Sequence, residues 1–115
     1  MKQIKYTPDA AEKLRFLNKT ITLQYGRDTA KKIVGTITSA IRGLAENEQQ
    51  GPSVDAMFHV PSEYRYLFIA RNYIFYRIEA KEIRIINIYN EKEDFMWQLF
   101  GIDTTPQETI DYWNE

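Results

Sequence analysis

Residues 64–89, YRYLFIARNYIFYRIEAKEIRIINIY, contain three runs of β-branched and aromatic residues separated by two short polar breaks. The runs are Tyr64 to Ile69, Tyr73 to Ile78 and Ile83 to Tyr89. Ala70, Arg71 and Asn72 form the first break, and Glu79 to Glu82 the second. Breaks this short only reverse the chain locally, which predicts an antiparallel three-stranded meander. Side chains alternate across a sheet, so each strand presents two faces. Apart from Arg65, Arg77, Arg84 and Asn87, almost no position here is plainly polar. One face of such a sheet must be covered, and the other must meet something besides water.

The segment ahead of the meander supplies a cover. Lys2 to Tyr6 alternates polar and apolar and reads as a short first strand. Thr7-Pro8-Asp9 then opens a helix, with Thr7 as N-cap, Pro8 at the first helical position and Asp9 complementing the helix N-terminus. Ala10, Leu14, Leu17, Ile21 and Tyr25 recur at helical spacing, and Gly26 ends the stripe. A second helix is predicted from about Asp28 to Glu48, with Ala30, Ile33, Val34, Ile37, Ile41 and Leu44 on its apolar side and Lys31, Lys32 and Arg42 off it. With Gly26 alone between them, the two helices should form an antiparallel hairpin whose joint apolar face lies on the sheet.

Gln49 to Ser53 is a breaker, and the link to Tyr64 is loosely patterned, anchored by Met57, Phe58 and Val60. After the meander, Glu91 to Asp94 reads as a polar turn, and Phe95, Met96, Leu99 and Phe100 as a short helix. Thr105-Pro106-Gln107-Glu108 has the form of a capping box, opening a terminal helical turn or two that carries Ile110, Tyr112 and Trp113.

At 115 residues the chain is long enough for one cored domain. It has no apolar run near the ~18 residues of a membrane span and no signal-peptide core, so cytosol is the expected compartment and no membrane partner is expected. The absence of cysteine removes disulfides, thiolate chemistry and cysteine-ligated metals. With one histidine and no calcium-loop spacing, no cofactor or metal is expected. Charge is unevenly spread. Residues 1–51 carry nine Lys/Arg against five Asp/Glu, residues 52–90 five against four, and residues 91–115 one against seven. An acidic tail thus masks a mildly basic body, and a pI near 5.9 is no footprint for nucleic acid.

In this order the elements resemble the RelE/ParE superfamily of toxins from bacterial type II toxin–antitoxin systems, along most of residues 3–100. The residues carrying the resemblance are Ile4-Lys5-Tyr6-Thr7-Pro8-Asp9-Ala10, Ala30 with the stripe after it, and Gly51-Pro52. To these are added Tyr64-Arg65, Asn72-Tyr73-Ile74-Phe75-Tyr76-Arg77 and Ile88-Tyr89. The resemblance implies an α+β fold with the N-terminal strand joining the meander in a four-stranded, antiparallel-rich sheet. It places that strand antiparallel to the second strand and parallel to the last. It also implies a toxin domain over residues 1–102, followed by an acidic extension over 103–115. A cognate antitoxin is the implied partner, covering whatever apolar strip the fold leaves open.

The family divides into a branch that cleaves mRNA on the ribosome without a metal and a branch that poisons DNA gyrase. Metal-free RNA cleavage needs a base for the 2′-hydroxyl, a cation for the charge developing on phosphorus and an acid for the leaving oxygen. The resemblance places these roles on Arg65, Tyr89 and Lys92. The surrounding residues fit less well. Leu67 and Ile69 are apolar where a second base would stand, Tyr73 replaces an Arg, and Lys92 lacks the guanidinium fork suited to phosphate. Glu91, Glu93 and Asp94 crowd the same segment with like charge. His59, the only histidine, is a weaker candidate base, read first as a surface loop residue. Tyr66, Phe68, Tyr73, Phe75 and Tyr76 offer either stacking surfaces for bases or core and partner contacts. Three functions stay open on sequence: gyrase inhibition by binding, ribosome-dependent endoribonuclease activity, and a non-toxic antitoxin-binding module.

Overall fold

The computed structural model describes residues 1–93. The predicted C-terminal helices, and the docking of Tyr112 and Trp113, lie outside the described residues. Within them the elements are β1 (Gln3–Tyr6), α1 (Pro8–Tyr25), α2 (Arg27–Gly43), α3 (Val54–Phe58), β2 (Arg65–Ile69), β3 (Asn72–Ile78) and β4 (Glu82–Asn90). They form an α+β fold with a single four-stranded sheet of order β1-β4-β3-β2.

The meander forms as predicted, antiparallel throughout, with Arg65 opposite Tyr76 and Tyr73 opposite both Phe68 and Tyr89. Its first reversal is two residues long, and both are left-handed, Ala70 at φ 52° and Arg71 at φ 65°. That geometry matches the right-handed twist of the flanking strands, although the chain supplies neither Gly nor Asn at those two positions. The Asn72 side-chain amide donates to the Ala70 carbonyl (2.8 Å), and Arg71 pairs with Glu91 (2.7 Å), holding the turn. Among the described residues β1 pairs with β4 alone, in parallel, from Gln3 opposite Glu82 to Tyr6 opposite Ile85. The expected antiparallel relation to β2 is therefore wrong. β2 lies at the far edge, and the alternation of directions through β3 and β4 makes it run the same way as β1.

Strand β4 carries a bulge. Phe75 faces Asn87 but Tyr76 faces Ile85, so Ile86 is an extra residue. The bulge restores phase to IRIINIY: Ile83, Ile85 and Ile88 all join the core under the helices, while Ile86 and Tyr89 turn to the opposite face.

Helix α1 begins as its sequence dictates, the Thr7 hydroxyl accepting from the Ala10 N–H (3.1 Å) with Pro8 at the first helical position. Gly26 closes α1 and opens α2. Its N–H donates to the Thr22 carbonyl (3.0 Å), its own carbonyl accepts from Ala30 (3.1 Å), and its φ of 97° explains the glycine. α2 ends at Gly43, several residues short of the expected Glu48. There the bonds tighten to the three-residue spacing, Leu44 to Ile41 and Ala45 to Arg42.

The helix-side core joins Ala10, Ile37, Ile41 and Leu44 to Leu67, Ile74, Tyr76, Ile83, Ile85 and Ile88, with Leu14 and Leu17 packed at its margin. Tyr25, expected in the same stripe, is 68% exposed, and Leu23 beside it 78%. An 18-residue helix is about 27 Å long, and its last turn lies beyond the core.

The link from α2 to β2 is more ordered than its sequence suggests. Ser53 caps α3, accepting from Ala56 N–H (3.4 Å), and Val54 is fully buried. Ahead of it, the buried Tyr76 hydroxyl donates to the Glu48 carbonyl (2.7 Å) and accepts from the Gly51 N–H (3.0 Å). Gly51 is pressed against the sheet, where a Cβ would stand 2.1 Å from the Tyr66 carbonyl oxygen. Gly51→Ala should therefore destabilise the fold by about 1–3 kcal/mol or more, as overpacking against immovable backbone does. Tyr76→Phe, which strands both partners of the hydroxyl, should cost about 1–3 kcal/mol. Urea unfolding measures both, and a wild-type midpoint for Gly51→Ala would refute the close approach.

Candidate functional site

Of the four residues the sequence singles out, Arg65 is half-buried and is bound to the scaffold's own backbone. Odd positions of β2 face the helices, Leu67 within the core and Ile69 at its margin. Arg65, on that same face, bends to the linker. Its Nε donates to the Gly51 carbonyl (2.7 Å) and its Nη2 to the Gln49 carbonyl (3.4 Å). Its charge lies against the Tyr76 hydroxyl, where burial raises the phenol above its ordinary pKa while the Gly51 N–H and then Arg65 partly offset that. These contacts make Arg65 part of the clasp on the α2–α3 linker.

Tyr89 stands on the other face. It lies three residue pairs from Arg65 along the ladder, about 10 Å by strand rise, and two strands across. There it belongs to a second buried cluster with Val54, Val60, Tyr66 and Phe75, flanked by Phe58, Tyr64, Tyr73 and Ile86. Most of the rings meet edge-on or tilted, with Phe75 and Tyr89 6.0 Å apart at 61° and Tyr66 and Tyr73 5.6 Å at 57°, while Tyr73 and Phe75 stack at 17°. The second face of the sheet is thus covered in large part by residues 54–60 of the chain itself. Of the aromatics considered as stacking surfaces, Tyr66, Phe75 and Tyr76 are buried and Phe68 is 47% exposed.

Beside Tyr89 a groove of about 400 Å³ opens between α1 and β4, lined by Asp9, Glu12, Lys13, Phe16, Asn87 and Tyr89. The Lys13 ammonium sits 4.7 Å from the centre of the Tyr89 ring and pairs with Glu93 (3.1 Å). Asn87 donates to the Tyr89 hydroxyl (3.0 Å), a contact that the i, i+2 spacing on one strand makes legible in the sequence. Lys13 had no such signal, because it lies off the apolar stripe of its helix. The groove sets Asp9, Glu12 and Glu93 around Lys13, with Arg15 bonded to Glu12 from outside (2.7 Å). Burial raises the Tyr89 pKa, the Asn87 bond lowers it, and Glu93 and Asp9 add to the rise.

Lys92 is exposed between Glu91 and Glu93, and its backbone N–H donates to Asn90 Oδ1 (3.0 Å). His59 is exposed in the left-handed conformation (φ 58°) that ends α3, its N–H donating to the Asp55 carbonyl (3.1 Å). Arg77 and Arg84 are taken up by carboxylates, Arg77 by Glu79 (2.8 Å) and Arg84 by Glu82 (2.9 Å). The structure therefore brings Tyr89 near the segment of Lys92, and sets Arg65 apart from both.

Tyr6, Tyr66, Tyr76 and Tyr89 all have pKa values raised by burial. A raised folded-state pKa contributes stability that is complete below the unfolded value near 10 and is lost as pH climbs through the folded value. Stability should hold up to about pH 10 and fall above it. Phenolate absorbance followed against pH should show these tyrosines ionising later than a free phenol. Ionisation of every tyrosine at the free-phenol value would refute this.

Residues 4–95 match the family described as the ParE toxin of the type II toxin–antitoxin system parDE. Among solved structures, a chain of the chromosomal ParDE toxin–antitoxin system from P. aeruginosa superposes with a TM-score of 0.66 at 26% sequence identity, over 78% of this chain and 96% of that one. No curated protein matches the sequence. With the matched span covering most of the chain, from β1 past the end of β4, this protein belongs to the ParE toxin family.

Proposed function

We propose that this protein is the toxin half of a toxin–antitoxin pair, and that it arrests growth by binding DNA gyrase rather than by cutting RNA. The observation that carries this reading is the separation of Arg65 from Tyr89. Acid–base cleavage of a phosphodiester needs its groups within hydrogen-bond reach of one reacting centre. Here one group is tied to the Gln49 and Gly51 carbonyls on the helix face, and the other is packed on the opposite face. The charge near Tyr89 points the same way. Lys13 is already paired with Glu93, and Asp9 and Glu12 would repel a phosphate backbone at that groove.

A cognate antitoxin is the proposed neutralising partner, supported by the family and by the ParDE system to which the similar P. aeruginosa chain belongs. Purified protein should block gyrase supercoiling and leave mRNA intact in a translating extract. Cutting of mRNA only when ribosomes are present would overturn the gyrase reading, and no growth arrest on induction would leave the antitoxin-binding module. In a growth-arrest assay, Lys92→Ala and His59→Ala should behave as wild type, since both side chains are exposed and neither belongs to the Tyr89 cluster. Loss of arrest in either variant would restore it to the candidate site.

A further inference from the structure

Between α1 and α2 lies an open groove of about 610 Å³, separate from the Tyr89 groove. Asn18 and Thr22 form one wall and Arg27, Lys31 and Thr38 the other; among the described residues no sheet residue and no carboxylate lines it. Thr22 and Thr38 spend their hydroxyl protons on carbonyls of their own helices, Asn18 (2.6 Å) and Val34 (3.1 Å). Arg27 and Lys31, four residues apart on α2, are exposed cations. Gly35 also lines the groove, where an added Cβ would meet nothing within 4 Å. Around the groove the charge is one-sided: residues 18–32 carry Lys19, Arg27, Lys31 and Lys32 against a single acid, Asp28.

The chain contains a segment of complementary chemistry. Residues 103–115 carry four Asp/Glu and no Lys or Arg, with Ile110, Tyr112 and Trp113 among them. Glu108, Asp111 and Glu115 recur at spacings of three and four, which align carboxylates along one side of a helix. The path is short enough. Glu93 is held at α1 by Lys13, and Asn18 lies five residues further along that helix, about 7.5 Å away. The nine residues from 94 to 102 can span up to about 30 Å.

We propose that the groove between α1 and α2 is the docking surface of the chain's own acidic extension, residues 103–115, with its carboxylates against Arg27 and Lys31. The attraction is electrostatic and solvent-exposed, so the extension is held reversibly and an acidic segment of another protein can displace it. This docking does not depend on which cellular target the protein has.

The test uses the full chain. It has no cysteine, so Asn114→Cys gives a single site for a nitroxide label, and amide NMR reads which backbone groups lie near it. Expected at low salt is a loss of most signal intensity at Thr22, Gly35 and Thr38, restored at about 1 M salt, where the Debye length is ~3 Å. Arg27→Glu with Lys31→Glu should abolish the loss in a spectrum that is otherwise folded. Gly35→Gln should do so by filling the groove, in a helix whose propensity the change raises. Undiminished groove signals in the folded full chain at low salt would overturn the proposal. So would a loss seen only when labelled copies are mixed with isotope-enriched unlabelled ones, because the occupant would then be a second copy.

Discussion

Strands β3 and β4 form a ladder apolar on both sides, and the rest of the molecule is arranged to cover it twice. Ile74, Tyr76, Ile83, Ile85 and Ile88 look one way, Phe75 and Tyr89 the other, and all seven are buried or nearly so. Each such side chain, fully removed from water, is worth roughly 1.5–3 kcal/mol, so neither face can be left bare. The helical hairpin closes the first face. The second is closed by a single short helix and its flanking loop, five helical residues with Val54 and Val60 as pegs. The two covers are joined at one place, the turn at Gly51, where Tyr76 and Arg65 bind the linker from beneath. Position 51 thus couples the packing of one face to that of the other.

Much of the scaffold was readable because its signals are local. The Thr7-Pro8 start, the Gly26 break and the ends of the three strands each depend on residues within a turn of one another. The misreadings came from effects that a period cannot carry. The stripe of α1 gives the direction of its apolar side but not the length of the surface beneath, so Tyr25 fits the pattern yet lies in solvent. The pattern of β4 hides a one-residue bulge, because two adjacent isoleucines at 85 and 86 read equally well as a run. The position of β1 rests on contacts almost eighty residues away, and the order inside the linker rests on a cap at Ser53 whose helix is too short to show a period.

The candidate site was legible as a set of residues and not as an arrangement. Tyr89 and Asn87 share a face by strand spacing alone, and the clustered acids after β4 are plain in the sequence. That Arg65 turns inward to two backbone carbonyls is a tertiary fact. A guanidinium at the start of an edge strand can serve solvent, phosphate or linker equally well until the linker's path is known. Here the path runs directly over it, with the Arg65 Nε bonded to the Gly51 carbonyl and its Nη2 to that of Gln49. A substitution at this position would therefore change stability as well as chemistry, which blurs the usual inference from a lost activity to a lost catalytic group.

The parallel pairing of β1 with β4 also has a consequence for synthesis. Gln3 lies opposite Glu82, so β1, the first of the described strands to be made, waits for nearly all of the described chain before it has this partner. Contacts of such long sequence separation form slowly, because the intervening chain must be closed before they are rewarded. The α1–α2 hairpin and the meander can each form from neighbours; β1 alone is left pending. During that interval the β4 edge is unpaired and open to any other extended segment. A protein that binds the nascent chain before it completes its fold would find its opening there, at an edge that the finished molecule no longer shows.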